Sequence, residues 1–400
     1  MEKQALSGIK VIDLSEMISG PYCTKLLADL GAEVIKIEQP GLGDPSRLEG
    51  PFPGNKPDLD SSGLFGYLNH NKKGITLDYK TSKGLDVVKR LIKEADILVE
   101  NFEPGVMAEL GIGYDVLKEL NPRLILTSIT YFGQSGKYRD YKATELVAQS
   151  MSGWISSIGE YGKPPLRAGG PIRLLDYITG TFAAMATMTA VIGRRKSNKG
   201  EHIDVSSVEV GLLQRAYPTV QDSFPNATHK TPKRFVMTPS VEKCKDGYIG
   251  ITLLTGQHWQ DFCGMTEMYD WMEDPRFILL PNRLKHKKVF QERFDEWLMR
   301  HTQEEIIALA KEWRVPAIPV PTFEDMLSFP QYEERGLFVK VDHPKMGAIV
   351  QPGAPFRMSE TPWKINSPAP LLGEHTEDVL DGRLGMKSSV LQEMRQEGVI

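Results

Sequence analysis

Asp176 is the side chain whose position most invites chemistry. It opens a long small-residue helical pattern, in Leu174-Leu175-Asp176-Tyr177-Ile178-Thr179-Gly180. An acid there complements the helix macrodipole, and that plain structural role is the economical reading of the local sequence. The same placement suits a working carboxylate. A helix N-terminus favours the ionised form and offers backbone N–H groups to developing negative charge. Glu145, thirty-one residues earlier, reads as an exposed helix acid. A share in chemistry would require the fold to bring the two carboxylates together. Other reactive patterns are absent. There is no GxSxG for a serine nucleophile. The eight histidines are scattered, with no HExxH and no Cys/His pairs at ligand spacing, so no metal site is expected. His70 and His375 lie in polar loops and read as solvated or hydrogen-bonding groups. Cys23 falls inside a helical pattern and reads as a buried small apolar residue.

The elements that must position these groups alternate. Ile9 to Leu14 is a short apolar strand, Tyr22 to Leu30 a helix stopped by Gly31, and Val34 to Ile37 the next strand. Lys83 to Glu94 puts Leu85, Val88, Leu91 and Ile92 on one helical face, and Ile97 to Val99 follows as a strand. Tyr114 to Leu120 and Leu124 to Ile129 repeat the unit. Such repetition implies an α/β fold with a parallel sheet. The first turn resembles a dinucleotide site, with Glu38 where a ribose-binding acid would stand. Yet Ser15-Glu16-Met17-Ile18-Ser19-Gly20-Pro21 carries one glycine where the phosphate fingerprint needs three, so an NAD-dependent oxidoreductase is disfavoured.

Leu174 to Arg195 is a long helix whose Gly180, Ala183, Ala184 and Thr187 should admit a close neighbour. Residues 196–227 read as connection. Val241 to Cys244 and Tyr248 to Leu253 flank Lys245-Asp246-Gly247, a hairpin signal. Helices follow at Trp259 to Met265 and Phe290 to Met299. Another starts at Thr302, with Glu305 completing a capping box. These make a smaller α+β domain. From about 340, Pro and Gly interrupt the pattern until a polar helix at Ser389 to Glu397.

Composition is ordinary and globular: 400 residues, 40% hydrophobic and 25% charged. A net charge of -4 argues against a nucleic-acid partner. No stretch reads as a membrane span of about 20 apolar residues, and the opening Met1-Glu2-Lys3-Gln4 has no leader pattern. Three dispersed cysteines fit a reducing compartment, so the expected address is cytoplasmic.

Five segments, in order, resemble the family III coenzyme A transferases (the CaiB/BaiF family), the group of the formyl-CoA:oxalate and carnitine CoA-transferases. They are Gly8-Ile9-Lys10-Val11-Ile12-Asp13-Leu14 with Gly20-Pro21 and Leu30 to Glu38; Asn69-His70-Asn71-Lys72-Lys73 with Leu77-Asp78; and Val99-Glu100-Asn101-Phe102-Glu103-Pro104-Gly105. Then come the Asp176 segment with Lys199 to Ser206, and Gly353-Ala354-Pro355-Phe356 with Pro370 to Thr376.

The resemblance implies a Rossmann-like large domain built from both chain ends, a small middle domain, and two subunits interlocked as rings. The corresponding boundaries are 1–200 for the large domain, 201–227 for a linker, 228–325 for the small domain, 326–345 for a second linker, and 346–400 for the return. A homodimer is implied, with a hetero-oligomer as the alternative assembly. The implied reaction carries coenzyme A from an acyl-CoA to a carboxylic acid through a covalent aspartyl intermediate on Asp176, with Glu145 in a supporting role. No cofactor is tightly bound; coenzyme A arrives as substrate. Its contacts map to Ile18, Ser19, Leu77, Lys80, Asn101, Phe102 and Lys142, with Arg47 a weaker phosphate candidate.

The chain also departs from the pattern. Gln39 and Glu109 fall where family arginines stand, so Arg194, Arg195 or Lys196 are candidates to replace them. Ile18 replaces a glutamine tied to oxalate chemistry, which implies an acid bulkier than oxalate, aromatic, branched or carnitine-like. Two rival functions follow. A 2-methylacyl-CoA racemase needs a histidine where this chain has Thr144. A non-catalytic partner subunit of a hetero-oligomeric transferase would not need Asp176.

Overall fold

The computed structural model describes residues 4–159, 162–169, 172–224 and 237–400. The chain divides into two compact units. Met1–Ile158, Leu166–Thr231 and Leu337–Ile400 form the first; Gly159–Pro165 and Pro232–Gly336 form the second.

The first unit runs β1 (Lys10–Asp13), α1 (Ser19–Asp29), β2 (Glu33–Glu38), α2 (Gly63–Asn69), β3 (Lys72–Thr76), α3 (Ser82–Lys93) and β4 (Ile97–Glu100). It continues α4 (Val106–Glu109), α5 (Tyr114–Leu120), β5 (Ile125–Thr130), α6 (Glu145–Met151), α7 (Trp154–Ser157), α8 (Leu174–Ser197), β6 (His202–Ser206), α9 (Ser207–Leu213) and α10 (Ala216–Ser223). The six strands are all parallel, in the order β3-β2-β1-β4-β5-β6. The chain therefore begins at the sheet's centre and reverses direction between β1 and β4. That reversal opens a crevice at the carboxyl ends of the strands. All four residues of β4 are buried, as a sheet covered on both faces requires. One core cluster packs Val88, Leu91 and Leu117 under α3 and α5. The other packs Leu27, Leu175, Ala183 and Val191 under α1 and α8.

The small-residue stripe of α8 does admit a close neighbour, which is α1. A Cβ on Gly180 would stand 2.5 Å from the Ser19 carbonyl oxygen. Thr187 shares a 2.7 Å hydrogen bond with Thr127 of β5. By length and composition alone α8 could cross a membrane, but half of its apolar window is buried in this core.

In the second unit, β7 (Val241–Lys243), β8 (Tyr248–Ile251), α11 (Gly256–Met265), α12 (Leu280–Lys285), α13 (Lys287–Leu298), α14 (Gln303–Glu312), β9 (Ala317–Pro319), α15 (Phe323–Met326) and α16 (Pro330–Glu334) follow one another. The expected hairpin is present, with β9 added antiparallel to β8. Both arms of the Thr302–Glu305 capping box form, at 2.8 and 3.2 Å. Phe262, Phe290 and Phe294 fill the core with Trp259 and Trp271. The chain then re-enters the first unit as the hairpin β10 (Phe338–His343) and β11 (Gly347–Pro352), followed by α17 (Thr376–Gly382) and α18 (Ser388–Gln396). The main-chain N–H of His375 donates to the Gly74 carbonyl of β3 at 2.9 Å, and its ring Nδ1 accepts the Gly74 N–H at 3.3 Å.

Three readings change. Residues 201–227, expected as a linker, contain β6, α9 and α10, with 225–227 outside the described residues. His202-Ile203-Asp204-Val205-Ser206 escaped because a half-exposed edge strand lacks an apolar run. Lys72-Lys73-Gly74-Ile75-Thr76 escaped as β3 because its first lysine is buried against Asp13, a pairing invisible to local pattern. Residues 326–345, expected as the second linker, contain α16 and β10. The start of the expected small domain, 228–236, lies outside the described residues.

Candidate functional site

A buried ionic network shapes the β1–α1 turn in place of glycines. Asp13 accepts hydrogen bonds from Ser15, Thr24 and Lys72. Lys36 donates to the Ser15 carbonyl at 2.8 Å and pairs with Asp44 at 2.8 Å. Asp44 takes the Met17 N–H at 3.0 Å, holding Met17 at φ 66. Asn101, just past β4, clamps both the N–H and the carbonyl of Glu16 at 2.8 Å. Gly20 is required beside this turn, because a Cβ there would meet Ser15 Cβ at 2.1 Å.

A cavity of about 270 Å³ opens at this turn, where the strand order reverses. Residues 16–19 after β1, 101–104 after β4 and 129–132 ending β5 form its walls. Arg139, Tyr141, Lys142, Ala143, Arg173, Asp176 and Ser207 complete the lining.

Asp176 is 3% exposed, in the first turn of α8, on the same helical face as Gly180 and Ala183. Its Oδ2 accepts from Arg173 Nε at 2.7 Å. Burial pushes its carboxyl up to about 6, and the negative charge of Glu145 adds to this while Arg173 opposes it. The helix start that should hold the carboxylate ionised is thus outweighed by desolvation. The group is still largely charged at neutral pH, and is more basic than an ordinary aspartate.

Glu145 is 2% exposed, contrary to its reading as a surface acid. It begins α6, and its Oε1 accepts the Leu175 N–H at 3.0 Å and Gln149 Nε2 at 2.6 Å. Its other oxygen pairs with Arg167. Glu145 therefore satisfies an orphan donor in the first turn of α8, the turn that carries Asp176. Another buried carboxyl, Glu100, ends β4; burial pushes it up to about 7, and it accepts the Phe102 N–H at 2.8 Å.

Of the residues singled out for coenzyme contact, Ile18, Ser19, Asn101, Phe102 and Lys142 line the cavity with Asp176. Leu77 and Lys80 do not. Leu77 is fully buried in the core, and Lys80 is exposed beyond the cavity. Phe102 leans on Tyr79, ring centres 5.8 Å apart. Lys142 is exposed and pairs with Glu103.

Arg47 is no phosphate ligand. It is 1% exposed, and its guanidinium is bidentate to Glu38 at 2.7 and 2.9 Å, with Leu59, Asp60 and Pro370 taking the other donors. Arg194 is committed to Asp96 and to two carbonyls at the opposite end of α8 from Asp176. Arg195 and Lys196 share that end, roughly 30 Å from Asp176 at 1.5 Å of rise per residue. The cavity's own additional cations are Arg139 and Arg173, which sequence reasoning passed over. Arg173 had a legible signal, standing at the N-cap of α8 only three residues before Asp176.

Of the two readings of His70, solvated or hydrogen-bonding, the second holds: the ring is fully buried, with Nε2 2.8 Å from Asp29 Oδ1 and Nδ1 3.2 Å from Gln351 Nε2. The buried Cys23 thiol is pushed up to about 12 by desolvation, which leaves it inert. Among the described residues no group of three or more His, Cys, Asp or Glu could hold a metal ion.

Residues 6–376 match the family described as CoA-transferase family III. A formyl-CoA:oxalate CoA-transferase of Rhodopseudomonas palustris (strain BisA53) is 32% identical, covering 99% of this chain and 97% of its own. A succinate–glutarate CoA-transferase of Agrobacterium fabrum is 32% identical, covering 94% and 95%. The crystal structure of a CaiB/BaiF family protein from Brucella suis superposes with a TM-score of 0.84 at 28% identity, covering 95% of this chain and all of its own.

Proposed function

The chain belongs to CoA-transferase family III, and we propose that Asp176 is the covalent nucleophile through which it moves coenzyme A from an acyl-CoA to a free carboxylic acid. The observation that carries this is a buried carboxylate lining the switch-point cavity, raised to about 6, with only Oδ2 engaged by Arg173. A more basic carboxylate is a stronger nucleophile, and at neutral pH it is still deprotonated.

Asp176 attacks the thioester carbonyl, giving a mixed anhydride and CoA thiolate. The thiolate attacks the aspartyl carbonyl, giving an aspartyl-CoA thioester and releasing the donor acid. The acceptor carboxylate attacks that thioester. The returning thiolate then takes the acceptor acyl group and restores Asp176. Each intermediate stays activated, so exclusion of water decides the yield. Glu145 supports the reaction by capping the turn that carries the nucleophile.

In this reading Ile18, Ser19, Asn101 and Phe102 meet the pantetheine arm and Lys142 a phosphate, which their shared lining of the cavity supports. Asn101 would act mainly by holding the turn, since its amide is bonded to Glu16. Any contact from Leu77 would come through its main chain, and Lys80 would meet the distal nucleotide.

The acid is bulkier than oxalate in this reading, supported by the apolar Met17, Ile18, Ile129 and Phe132 in the lining. A racemase is not supported, because no histidine lines the cavity among the described residues. A homodimer of interlocked subunits is supported by exposed apolar residues on α8 to α10, including Met185, Ile192, Leu213 and Val220. Light scattering on the purified chain tests it; a monomer that dimerises only with another polypeptide would favour the hetero-oligomer.

The decisive experiment incubates the protein with a panel of acyl-CoAs and reads intact mass, then locates the adduct with hydroxylamine or borohydride. A CoA-sized adduct on the Asp176 peptide, lost in Asp176→Ala, is expected. Transfer activity surviving in Asp176→Ala refutes the mechanism.

A further inference from the structure

Arg173 is more than a counter-ion placed beside a nucleophile. Its guanidinium lines the cavity and is about one-third exposed. Its Nε donates to Asp176 at 2.7 Å, and one Nη2 donor reaches the Tyr131 hydroxyl at 3.5 Å. The remaining donors of its planar fork have no hydrogen-bond partner among the described residues. Glu145, the other acid near this turn, is occupied by Leu175, Gln149 and Arg167, so it offers Arg173 nothing.

The reaction changes what Arg173 faces. In the resting enzyme the guanidinium and the Asp176 carboxylate neutralise one another. Once Asp176 becomes a thioester its charge is gone, and a partly buried guanidinium is left unpaired. An unpaired cation in such a place is costly and seeks an anion. A planar fork with free donors matches a carboxylate in both shape and charge.

We infer that Arg173 is the docking group for the carboxylate of the acceptor acid, made available to it when acylation of Asp176 removes its resting partner. This rests on the reading of Asp176 as nucleophile. The exchange is balanced. The acceptor enters as an anion while Asp176 is neutral, its oxygen attacks the aspartyl thioester carbonyl, and the C–S bond breaks to give the thiolate. When the thiolate takes the acceptor acyl group, Asp176 leaves as carboxylate and pairs with Arg173 again. Water, which has no charge, gains nothing from the guanidinium, so the same device favours transfer over hydrolysis.

Asp176→Asn imitates the uncharged, acylated side chain without chemistry. Titration calorimetry at about pH 8 with benzoate and glutarate as probes should show roughly tenfold or greater tightening in Asp176→Asn over the unmodified protein, the scale of one charge-assisted hydrogen bond. Adding Arg173→Gln should abolish the gain, and uncharged benzamide should show none. Equal carboxylate affinity in Asp176→Asn and the double variant overturns the inference, as does an equal gain for benzamide.

A second measurement leaves Asp176 in place. In Arg173→Lys, the benzoate concentration that half-discharges a preformed CoA adduct should rise about tenfold, while the rate of adduct formation changes much less. Equal effects on the two halves would mean a merely structural arginine. Absence of any adduct in the unmodified protein sinks the nucleophile reading, and leaves the calorimetric comparison to judge Arg173 by itself.

Discussion

Replacing Asp176 by asparagine should abolish transfer and yet stabilise the protein. In the folded chain the carboxyl is raised from 3.8 to about 6, chiefly by burial. A shift of roughly two units corresponds to about 3 kcal/mol by which the fold disfavours the charged over the neutral form, with the Arg173 pairing already included. The direction with pH follows from linkage. For an acid raised on folding, the native state binds its proton first. Its favourable contribution is complete below the unfolded value, and is lost as pH rises through the folded one. At about pH 8 the unmodified protein bears the whole cost, and Asp176→Asn, neutral and isosteric, escapes it. The variant should therefore be more stable by up to about 3 kcal/mol. At about pH 4.5 the native carboxyl is protonated while the unfolded one is mostly not, so the gap should narrow to about 1 kcal/mol. Urea unfolding followed by circular dichroism at both pH values gives the comparison. If Asp176→Asn is less stable at the higher pH, or if the gap does not shrink on acidification, then burial is not what raises this group and the argument for its nucleophilicity falls with it.

Arg47→Met strands the buried Glu38 carboxylate, and should cost about 3–5 kcal/mol in the same unfolding assay. Because Arg47 does not line the cavity, the KM for acyl-CoA of the folded protein should stay within about twofold. Gly180→Val drives a side chain into the Ser19 carbonyl, a main-chain atom that yields only if α1 moves. A loss of roughly 1–3 kcal/mol is expected, and kcat should fall because Ser19 belongs to the cavity wall. Lys142→Ala breaks only an exposed ion pair, so the unfolding midpoint should not move measurably. Its KM for acyl-CoA should rise about tenfold and become less sensitive to salt, as expected for a lost phosphate contact. A shifted midpoint with unchanged KM would assign Lys142 to structure instead.

The sequence by itself determined the alternating α/β half, the hairpin and capping box of the second unit, and the close approach to α8. Each is written in local periodicity or turn chemistry, which act over a few residues. It also placed Asp176 at a helix start and, through five ordered segments, in the right family. What only tertiary structure decided depends on groups far apart in the chain. Glu145 reads as a surface acid until α6 is laid against α8, and then it caps the turn that carries Asp176. Arg47 reads as a free phosphate ligand until Glu38, Asp60 and Pro370 close around it. Lys72 hides a strand because its charge is answered by Asp13, 59 residues away. The ionisation of Asp176 belongs to this second class: its position on the helix favours the charge, and the desolvation that overrules this exists only once the folded chain buries the carboxyl.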